Sequence, residues 1–300
     1  MSLLVVGSTA YDSIETPDGS REDCLGGSAT YFSLAARFFT DVRLVSVVGD
    51  DFRDEDRKLL EKCNVDTFGL ETKKGRTFRW SGRYHADMNH RDTVSVDLNV
   101  FEGYQPMVPM NWRKTPFVFL ANGHPEVQTS VLEQMEERPH FVVADTMDLW
   151  IDIARDSLLG LLKKVDGIVL NDEEARQITY ESNLIKAGQA LLELGPRIVL
   201  IKKGEHGSFL FSHFFQFALP SYPTEDVADP TGAGDSFAGG FMGFLASRGR
   251  VQLGNLKRAM AFGTVAASIN VESFGVERLA GTEKPEIEAR YQDLLQFIQL

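Results

Sequence analysis

The chain has few cysteines and a shortage of positive charge. Only Cys24 and Cys63 occur in 300 residues, too few for a disulfide scaffold, so we expect a reducing compartment, the cytoplasm. The 31 Lys and Arg residues against 43 Asp and Glu residues give a net charge of −12 at pH 7. Such a field repels phosphate backbones and anionic lipid, which argues against nucleic-acid partners and membrane-surface binding.

Two common nucleotide fingerprints and any long apolar run are also missing. No Gly-x-x-x-x-Gly-Lys-Ser/Thr motif occurs, which argues against a P-loop NTPase. Gly7-Ser-Thr-Ala10 follows the first strand instead of Gly-x-Gly-x-x-Gly, which disfavours a dinucleotide dehydrogenase. Residues 207–224 carry no Asp, Glu, Lys or Arg, but two prolines argue against a membrane span there.

Short apolar runs alternate with helical patterns along most of the chain. Runs at 3–6, 42–48, 117–120, 141–144, 167–170 and 198–201 predict buried strands, and the segments between several of them have helical spacing. This alternation predicts a parallel α/β sheet. Ligands of such sheets collect at the carboxyl ends of the strands. Asn122 and Asp145, which follow two of these strands, are therefore candidates to face a substrate.

The rhythm breaks between about residues 72 and 109. Residues 77–84 alternate with period two and place Phe78, Trp80 and Tyr84 on one face, Arg79 and Arg83 on the other. We interpret this region as a small β-flap inserted into the larger domain. The predicted division is a core of residues 1–11, 26–73 and 108–300 and a β-lid of residues 12–25 and 74–107.

The strongest local signal is Asp229-Pro-Thr-Gly-Ala-Gly-Asp235, which precedes an apolar helical pattern. The glycines leave successive amides unobstructed, so the loop predicts an anion site at a helix N-terminus. Asp235 beside that site suits removal of a proton from an attacking hydroxyl. A glycine-rich turn capped by an aspartate is the alternative, which the residues alone leave open.

Four motifs together resemble the ribokinase-like (PfkB) family of carbohydrate and nucleoside kinases. They are the loop at 229–235, the pair Gly26-Gly27 before a helix, Asn171-Asp-Glu-Glu174, and Lys203-Gly-Glu-His-Gly207 after a strand. They occur in the family's order and span most of the chain. The resemblance implies a three-layer αβα fold with a mostly parallel central sheet and a small β-sheet lid. It also implies ATP-dependent phosphorylation of a hydroxyl with Mg²⁺.

The resemblance also implies roles for individual residues. Asp235 would be the general base, the amides of Gly232, Ala233 and Gly234 the anion hole, Asp12 the carboxylate that binds substrate hydroxyls, and Gly26 and Gly27 the hinge of the lid. The family's N-terminal motif carries an asparagine where this chain has Tyr31, and this departure concerns the substrate contacts on that side.

Further implied roles concern the nucleotide and metal ions. Nucleotide contacts would come from Asn171, Glu174, Lys203, Gly204 and Gly207, and from Ser273 and Gly275 at the adenine. Glu174 would organise Mg²⁺ through water, and Asp229 and Thr231 would bind a monovalent cation such as K⁺. From the residues alone, helix capping is the favoured interpretation of Asn171 and Glu174, whereas the resemblance favours the metal and phosphate role; the two roles are compatible. An ordinary helix-terminating loop is the matching alternative for Ser273 and Gly275.

The sequence of the β-flap is compatible with more than one class of acceptor substrate. If Arg79 and Arg83 face the cleft, they suit a sugar phosphate or sugar acid; if the aromatic face does, a sugar ring or nucleobase stacks there. We predict a carbohydrate kinase that forms a homodimer through the lid. A nucleoside kinase is the alternative within the family, and a catalytically silent sugar- or nucleotide-binding regulator is the alternative of another class.

Overall fold

The computed structural model describes residues 1–299. In these residues nine strands form the main sheet, in the order β13-β12-β11-β10-β9-β8-β1-β4-β5, and four form a small sheet, in the order β3-β2-β6-β7. The strands are β1 (Leu3–Val6), β2 (Ala10–Thr16), β3 (Gly19–Gly26), β4 (Val42–Gly49), β5 (Val65–Lys73), β6 (Phe78–Tyr84), β7 (Arg91–Asp97), β8 (Phe117–Leu120), β9 (Phe141–Asp145), β10 (Gly167–Asn171), β11 (Ile198–Lys202), β12 (Ser208–Phe211) and β13 (Gln216–Leu219).

Helices cover both faces of the main sheet. They are α1 (Ser28–Ala36), α2 (Asp54–Lys62), α3 (Pro125–Glu133), α4 (Asp148–Ile153), α5 (Arg155–Leu162), α6 (Asp172–Thr179), α7 (Leu184–Glu193), α8 (Ala233–Arg248), α9 (Leu253–Asn270), α10 (Glu277–Gly281) and α11 (Lys284–Phe297). No helix of residues 1–299 combines the length and the apolar character that crossing a bilayer requires.

The main sheet separates two apolar cores because the side chains of a strand alternate between its faces. In β1, Leu3 and Val5 pack into the core that α1, α8 and α9 cover, while Leu4 and Val6 pack into the core under α5, α6 and α7. Seven neighbouring strands of the main sheet are parallel to one another: β5, β4, β1, β8, β9, β10 and β11. In this sheet only β12 and β13 pair antiparallel to their neighbours. The predicted fold class is confirmed.

Two elements differ from the sequence-based prediction. The apolar spacing of residues 150–163 predicts one helix, but the structure has two, because Ala154 leaves the helical conformation with φ −134° and ψ 32°. The alternation of residues 93–100 predicts a strand over that range, but β7 ends at Asp97, and Asn99 begins a single turn of 3-10 helix with φ 50°. Asparagine tolerates this left-handed conformation better than other side chains do, and the alternating pattern does not register it.

Helix α8 carries the glycine-rich loop and packs closely between α1 and α9. A Cβ atom on Gly239 would lie 2.3 Å from the carbonyl oxygen of Phe32 in α1, and one on Gly240 would lie 2.6 Å from the carbonyl oxygen of Phe262 in α9. Both obstacles are backbone atoms that cannot rotate away. The two glycines therefore allow the helix backbones to approach, and this approach sets the position of the first turn of α8.

We predict that Gly239→Ala lowers the free energy of unfolding by about 1–3 kcal/mol, because the added methyl group must push two helix backbones apart. Gly254→Ala in α9 is the matched control, since nothing lies within 4 Å of its Cβ position. That variant should be unchanged or stabilised by up to about 1 kcal/mol. Urea unfolding measures both; equal stability of the Gly239→Ala variant and the wild type would contradict the close packing.

Candidate active site

The loop at 229–235 opens directly into helix α8. Gly232 has φ 75° and precedes the first helical residue, Ala233. The Ala233 amide donates to the carbonyl of Pro230 at 3.1 Å, whereas the Gly232 and Gly234 amides donate to no backbone or side-chain acceptor in residues 1–299. Asp235 lies in the first turn of the helix. Two free amides and a carboxylate thus share one helix N-terminus.

Tyr31, which stands where the family motif has asparagine, lies beneath this loop. Its ring is so close that a Cβ on Gly232 would be 2.3 Å from the ring carbon Cγ. Its hydroxyl lies 3.4 Å from Oδ2 of Asp12, which is almost completely buried on β2. Tyr31 therefore joins the glycine loop to Asp12, and the substitution keeps the two parts of the site in contact.

Gly26 and Gly27 fit against the same carboxylate. A Cβ on Gly26 would lie 2.0 Å from Oδ2 of Asp12, and the Gly27 amide donates to that oxygen at 3.4 Å. Gly27 has φ 92° and immediately precedes α1. The glycine pair thus leaves the space that the Asp12 side chain occupies, at the point where the small sheet joins the core.

Several carboxyl groups crowd around the first turn of α8. Burial, together with the negative charges of Asp145 and Asp12, raises the pKa of Asp235 to about 8, although Lys202 opposes this shift. Burial also raises the pKa of Asp12 to about 7, and the charge of Asp229 adds to it. These carboxyl groups hold protons far above the usual acidic range, so each has a strong tendency to accept one near neutral pH.

Asn171 and Glu174 form a complete capping box at the start of α6. The Glu174 amide donates to Oδ1 of Asn171 at 2.8 Å, and Oε2 of Glu174 accepts from the Asn171 amide at 2.7 Å. Burial raises the pKa of Glu174 to about 7, with Lys202 opposing. Oε1 of Glu174 accepts no hydrogen bond from residues 1–299, so the cap leaves one carboxylate oxygen free to bind a water molecule.

The donor set does not form a closed metal cage. In the described part of the chain, no group of three or more His, Cys, Asp or Glu residues is arranged to hold a metal ion. Magnesium keeps several waters and binds phosphates through few protein carboxylates. A single free oxygen on Glu174 therefore fits Mg²⁺ held mainly by phosphate and water.

The residues predicted to bind a monovalent cation brace the loop instead. Oδ1 of Asp229 accepts from the Thr231 amide at 2.8 Å, and Oδ2 accepts from the Gly275 amide at 3.0 Å. Asn270 donates to the Thr231 carbonyl at 2.7 Å. The hydroxyl of Thr231 donates to that of Tyr84 on the small sheet at 3.2 Å. Gly275 is thus brought to the loop, and Asp229 is the acceptor that fixes it there.

The turn after β11 contains the predicted nucleotide residues Lys203, Gly204 and Gly207. Gly204 and Gly207 have φ 53° and 80°, and the Lys203 amide donates to the Gly207 carbonyl at 2.8 Å. The tip of the β6–β7 hairpin reaches this turn: the Asn89 side-chain amide donates to Glu205 at 3.3 Å. The small sheet therefore contacts the core at both the glycine loop and this turn.

The two faces of the small sheet differ in what they meet. Trp80 pairs in register with Asp12, so its side chain lies on the same face as that carboxylate, and Tyr84 on that face reaches Thr231. Arg79 pairs with Tyr11 on the opposite face and forms ion pairs with Asp23 and Asp51 at 3.1 and 2.8 Å. Arg83, also on that face, pairs with Glu15 at 2.9 Å. The aromatic face, and not the arginine face, meets the site.

Three further predicted site residues make local contacts of their own: Asn122, Ser273 and Asp145. Oδ1 of Asn122 accepts from Nε1 of Trp150 at 2.9 Å. The hydroxyl of Ser273 accepts from the amide of Arg278, in the first turn of α10, at 2.9 Å. Asp145 is buried at the end of β9, where Oδ1 accepts from the Thr146 amide at 3.0 Å and lies 3.8 Å from Nζ of Lys202. The structure joins Asp145 to the crowded carboxyl groups but shows no such link for Asn122 or Ser273.

Sequence reasoning missed Lys202 and Arg91. Lys202 directly follows the predicted strand at 198–201, a position of the same kind as those of Asn122 and Asp145, but the prediction was made for its neighbour Lys203 in the glycine turn. Arg91 lies over Trp80, with its guanidinium carbon 5.7 Å from the ring centre. Its positive charge is felt by Asp235, Lys202 and Tyr84. The strand pairing of Tyr84 with Arg91 places it there, which only the register reveals.

The model of the pfkB family carbohydrate kinases matches residues 2–282, and the chain belongs to this family. A cytidine kinase of Thermococcus kodakarensis is 30% identical over 256 residues, 83% of this chain and 90% of that protein. A nucleoside kinase of Burkholderia thailandensis, solved with inosine, has a TM-score of 0.81 at 18% identity over 98% of this chain and 99% of that one. A ribokinase II of E. coli, solved with ATP and Mg²⁺, has a TM-score of 0.78 at 21% identity, over 97% and 99%.

Membership of this family makes the protein a kinase, a phosphotransferase that acts on a hydroxyl group of a sugar or nucleoside. The named relatives include both kinds of acceptor: nucleosides, and the sugars and inositol of ribokinase, fructokinase and inositol 3-kinase. Family membership therefore establishes the reaction class and leaves the acceptor to the particular side chains of this chain.

We predict that Asp12→Asn makes the protein more stable at pH 8 than the wild type. The folded Asp12 carboxyl keeps its proton to about pH 7, whereas in the unfolded chain it loses it near its ordinary value, about 4. The folded state therefore binds more protons between these values, and stability falls as pH rises through this window. Asparagine removes that loss, so the gain at pH 8 is roughly 2–4 kcal/mol and vanishes below pH 4.

Urea unfolding at pH 4 and pH 8 measures this difference. Asp41→Asn is the control, because it removes the same charge from an exposed position. A stabilisation by Asp12→Asn that is equal at both pH values would exclude titration of the buried carboxyl as its cause.

Proposed function

We propose that this protein transfers the γ-phosphoryl group of ATP to a hydroxyl of a sugar or sugar derivative. The observation that carries the proposal is the position of Asp235, a carboxylate with a raised pKa in the first turn of α8, beside free loop amides. In this role Asp235 accepts the proton of the attacking hydroxyl. A base whose pKa lies near the working pH is the most effective proton acceptor, and burial supplies that value here.

The glycine loop stabilises the charge that grows on the phosphoryl oxygens. The Gly232 and Gly234 amides carry this task most directly, because they are free to donate. The Ala233 amide has less support in this role, because it already donates to the carbonyl of Pro230. The positive end of the α8 dipole acts in the same direction. Fixed donors of this kind lower the barrier because they need no reorganisation when charge develops.

The remaining predicted residues surround the two substrates. Asp12 binds acceptor hydroxyls, with Gly26 and Gly27 as the hinge of the lid. The turn with Lys203, Gly204 and Gly207 binds the nucleotide, and Ser273 and Gly275 belong to its adenine side in the same proposal. Magnesium bound through water to Glu174 would neutralise phosphate charge. A K⁺ ion at Asp229 and Thr231 has less support, because both Asp229 oxygens already accept backbone amides.

The small sheet serves as the lid in this proposal, in the predicted division of core residues 1–11, 26–73 and 108–300 and lid residues 12–25 and 74–107. Its closure excludes water and limits wasteful ATP hydrolysis. Arg79 and Arg83 lie on the face away from Asp12 and are committed to carboxylates, so an anionic acceptor loses its main support. Asn122 and Asp145 stay candidates for the acceptor side at the strand ends.

A nucleoside is the second candidate acceptor, and the aromatic face of the lid favours it. Trp80 and Tyr84 lie on the same face as Asp12, so an acceptor whose sugar hydroxyls bind Asp12 has aromatic rings beside it. Stacking on such rings suits a nucleobase as well as a sugar ring. The cytidine kinase relative is consistent with this second candidate.

We also propose a cytoplasmic homodimer that forms through the lid. Strand β7 is exposed along its whole length and carries Val94 and Val96, which are 60% and 51% exposed. A second copy would cover this apolar edge. Sedimentation equilibrium tests the assembly, and a shift to monomer in Val94→Lys is the expected result; a monomeric wild type would contradict it.

We predict that Asp235→Asn lowers kcat by about 10²–10⁴-fold, the usual range for a lost general base. Asparagine keeps the shape of the side chain, so affinity for ADP should stay within about threefold. Coupled ADP-release assays and calorimetry give the two quantities. In the wild type, kcat/KM should fall as pH drops below the Asp235 pKa of about 8, because the protonated carboxyl accepts no further proton. Near-normal turnover of Asp235→Asn would rule out the base assignment.

A panel of sugars, sugar phosphates, sugar acids and nucleosides identifies the acceptor, with acceptor-dependent ATP consumption as the readout. For a nucleoside acceptor, Trp80→Leu should raise KM by about 10-fold or more, since stacking on a base contributes 1–3 kcal/mol per base in alanine substitutions. The KM for free ribose should hardly change. Ser95→Ala, on the opposite face of the lid, is the control. No consumption with any acceptor class would favour a catalytically silent regulator.

A further inference from the structure

Lys202 is the last residue of β11, and its side chain extends to the first turn of α8. A Cβ on Gly234 would lie 2.7 Å from Nζ of Lys202, so the ammonium rests against the glycine that supplies a free amide. The strand pairs in register with β10, where Asn171 is opposite Lys202. The ammonium therefore lies between the proposed anion hole and the start of α6.

Carboxylates hold this ammonium in its charged form. Oδ1 of Asp145 lies 3.8 Å from Nζ, and Glu174 and Asp235 are the next strongest negative charges acting on it. Burial alone would lower the pKa of Lys202, but these three carboxyl groups outweigh it and the pKa is raised. The charged form of the amine is therefore favoured over the neutral form.

The ammonium is charged but has no direct hydrogen-bond acceptor. It has three N–H donors, and no acceptor within residues 1–299 lies in hydrogen-bonding distance of Nζ, the nearest carboxylate oxygen being the one at 3.8 Å. A cation is also disfavoured at the positive end of a helix. Both features are explained if an anion binds between Nζ and the Gly234 amide, since it would satisfy the donors of both.

We propose that Lys202 is a catalytic residue whose ammonium binds the transferring phosphoryl group, and that Asp145 is the positioning residue that holds it. The inference rests on the proposed function. In the transfer, the acceptor oxygen forms its bond to the γ-phosphorus, the bond from that phosphorus to the β–γ bridging oxygen breaks, and ADP leaves with the electron pair. Asp235 takes the hydroxyl proton. Lys202 keeps its proton throughout and balances charge on the phosphoryl oxygens.

Asp145 suits the positioning role because its own geometry is fixed. Its carboxylate accepts from the Thr146 amide, and its carbonyl accepts from the side-chain amide of Gln128 at 2.9 Å. Its side chain is 7% exposed, so it has little freedom to turn toward solvent. A fixed carboxylate 3.8 Å away directs the ammonium without using up its hydrogen bonds.

The test compares Lys202→Met, Lys202→Arg and Asp145→Asn with the wild type. Calorimetry measures the affinity for ADP and for a non-hydrolysable ATP analogue, and a coupled assay measures kcat and KM. For Lys202→Met we expect kcat to fall by about 100-fold or more, a typical loss for one donor to a developing oxyanion. The variant should lose most of the wild type's preference for binding the ATP analogue over ADP, while its affinity for ADP stays within about threefold of the wild-type value.

The other variants distinguish a direct contact between Lys202 and the phosphoryl group from a purely structural role of this lysine. Lys202→Arg should recover part of both kcat and the preference for the analogue. Asp145→Asn should reduce that preference less than Lys202→Met does, with an unchanged melting temperature. If Lys202→Met fails to fold with Asp145 unpaired, the double variant Lys202→Met/Asp145→Asn removes both charges and should show the same loss. Lys62→Met, an exposed lysine at the end of α2, is the control.

An equal loss of ADP and analogue affinity in Lys202→Met, or a kcat within threefold of the wild type, would overturn the assignment. Failure of the proposed function gives a different result, because the wild type itself would then consume no ATP with any acceptor. In that case the calorimetric affinities for ADP and the ATP analogue still decide whether Lys202 binds the terminal phosphate.

Discussion

The whole site depends on burying several carboxyl groups around the N-terminus of one helix. Burial disfavours the charged form of each carboxyl group, and the negative charges of neighbouring carboxyl groups add to this effect, so the pKa values rise toward neutral pH. Asp235 reaches the other carboxyl groups because it lies in the first turn of α8. That helix can take its place only because its glycines let the backbones of α1 and α9 approach it. The close packing of α1, α8 and α9 in one core thus holds the buried carboxyl groups at the strand ends together, although burying them is unfavourable.

Much of the fold was predictable because it follows from periodicity. Six buried strands of the main sheet correspond to runs of apolar residues, and their side chains fill the two cores on its faces. The break at Ala154 and the early end of β7 were not predictable, since they depend on backbone conformations at single residues. A pattern of apolar residues carries no information about such local angles.

The site divides in a similar way. The glycine loop, Asp235, Asp12 and Glu174 are predictions from motifs and from places along the chain. In the structure the charge of Asp12 acts on Asp235, and Lys202 acts on both Asp235 and Glu174. The faces of the small sheet could not be assigned, because alternation gives two faces without saying which one meets the core. The register of Trp80 with Asp12 decides it. Lys202 was overlooked for a related reason: a strand end shows where a side chain begins and not how far it reaches.

The contact between Asn89 and Glu205 has a consequence for the order of events. The hairpin tip lies on the turn that would hold the nucleotide, while Tyr84 on the same strand pair contacts the glycine loop. Both contacts join the hairpin to parts of the core that the proposed function assigns to the substrates. If this hairpin moves as the proposed lid, each catalytic cycle breaks and remakes both hydrogen bonds, and the rate of that opening is an upper limit on turnover.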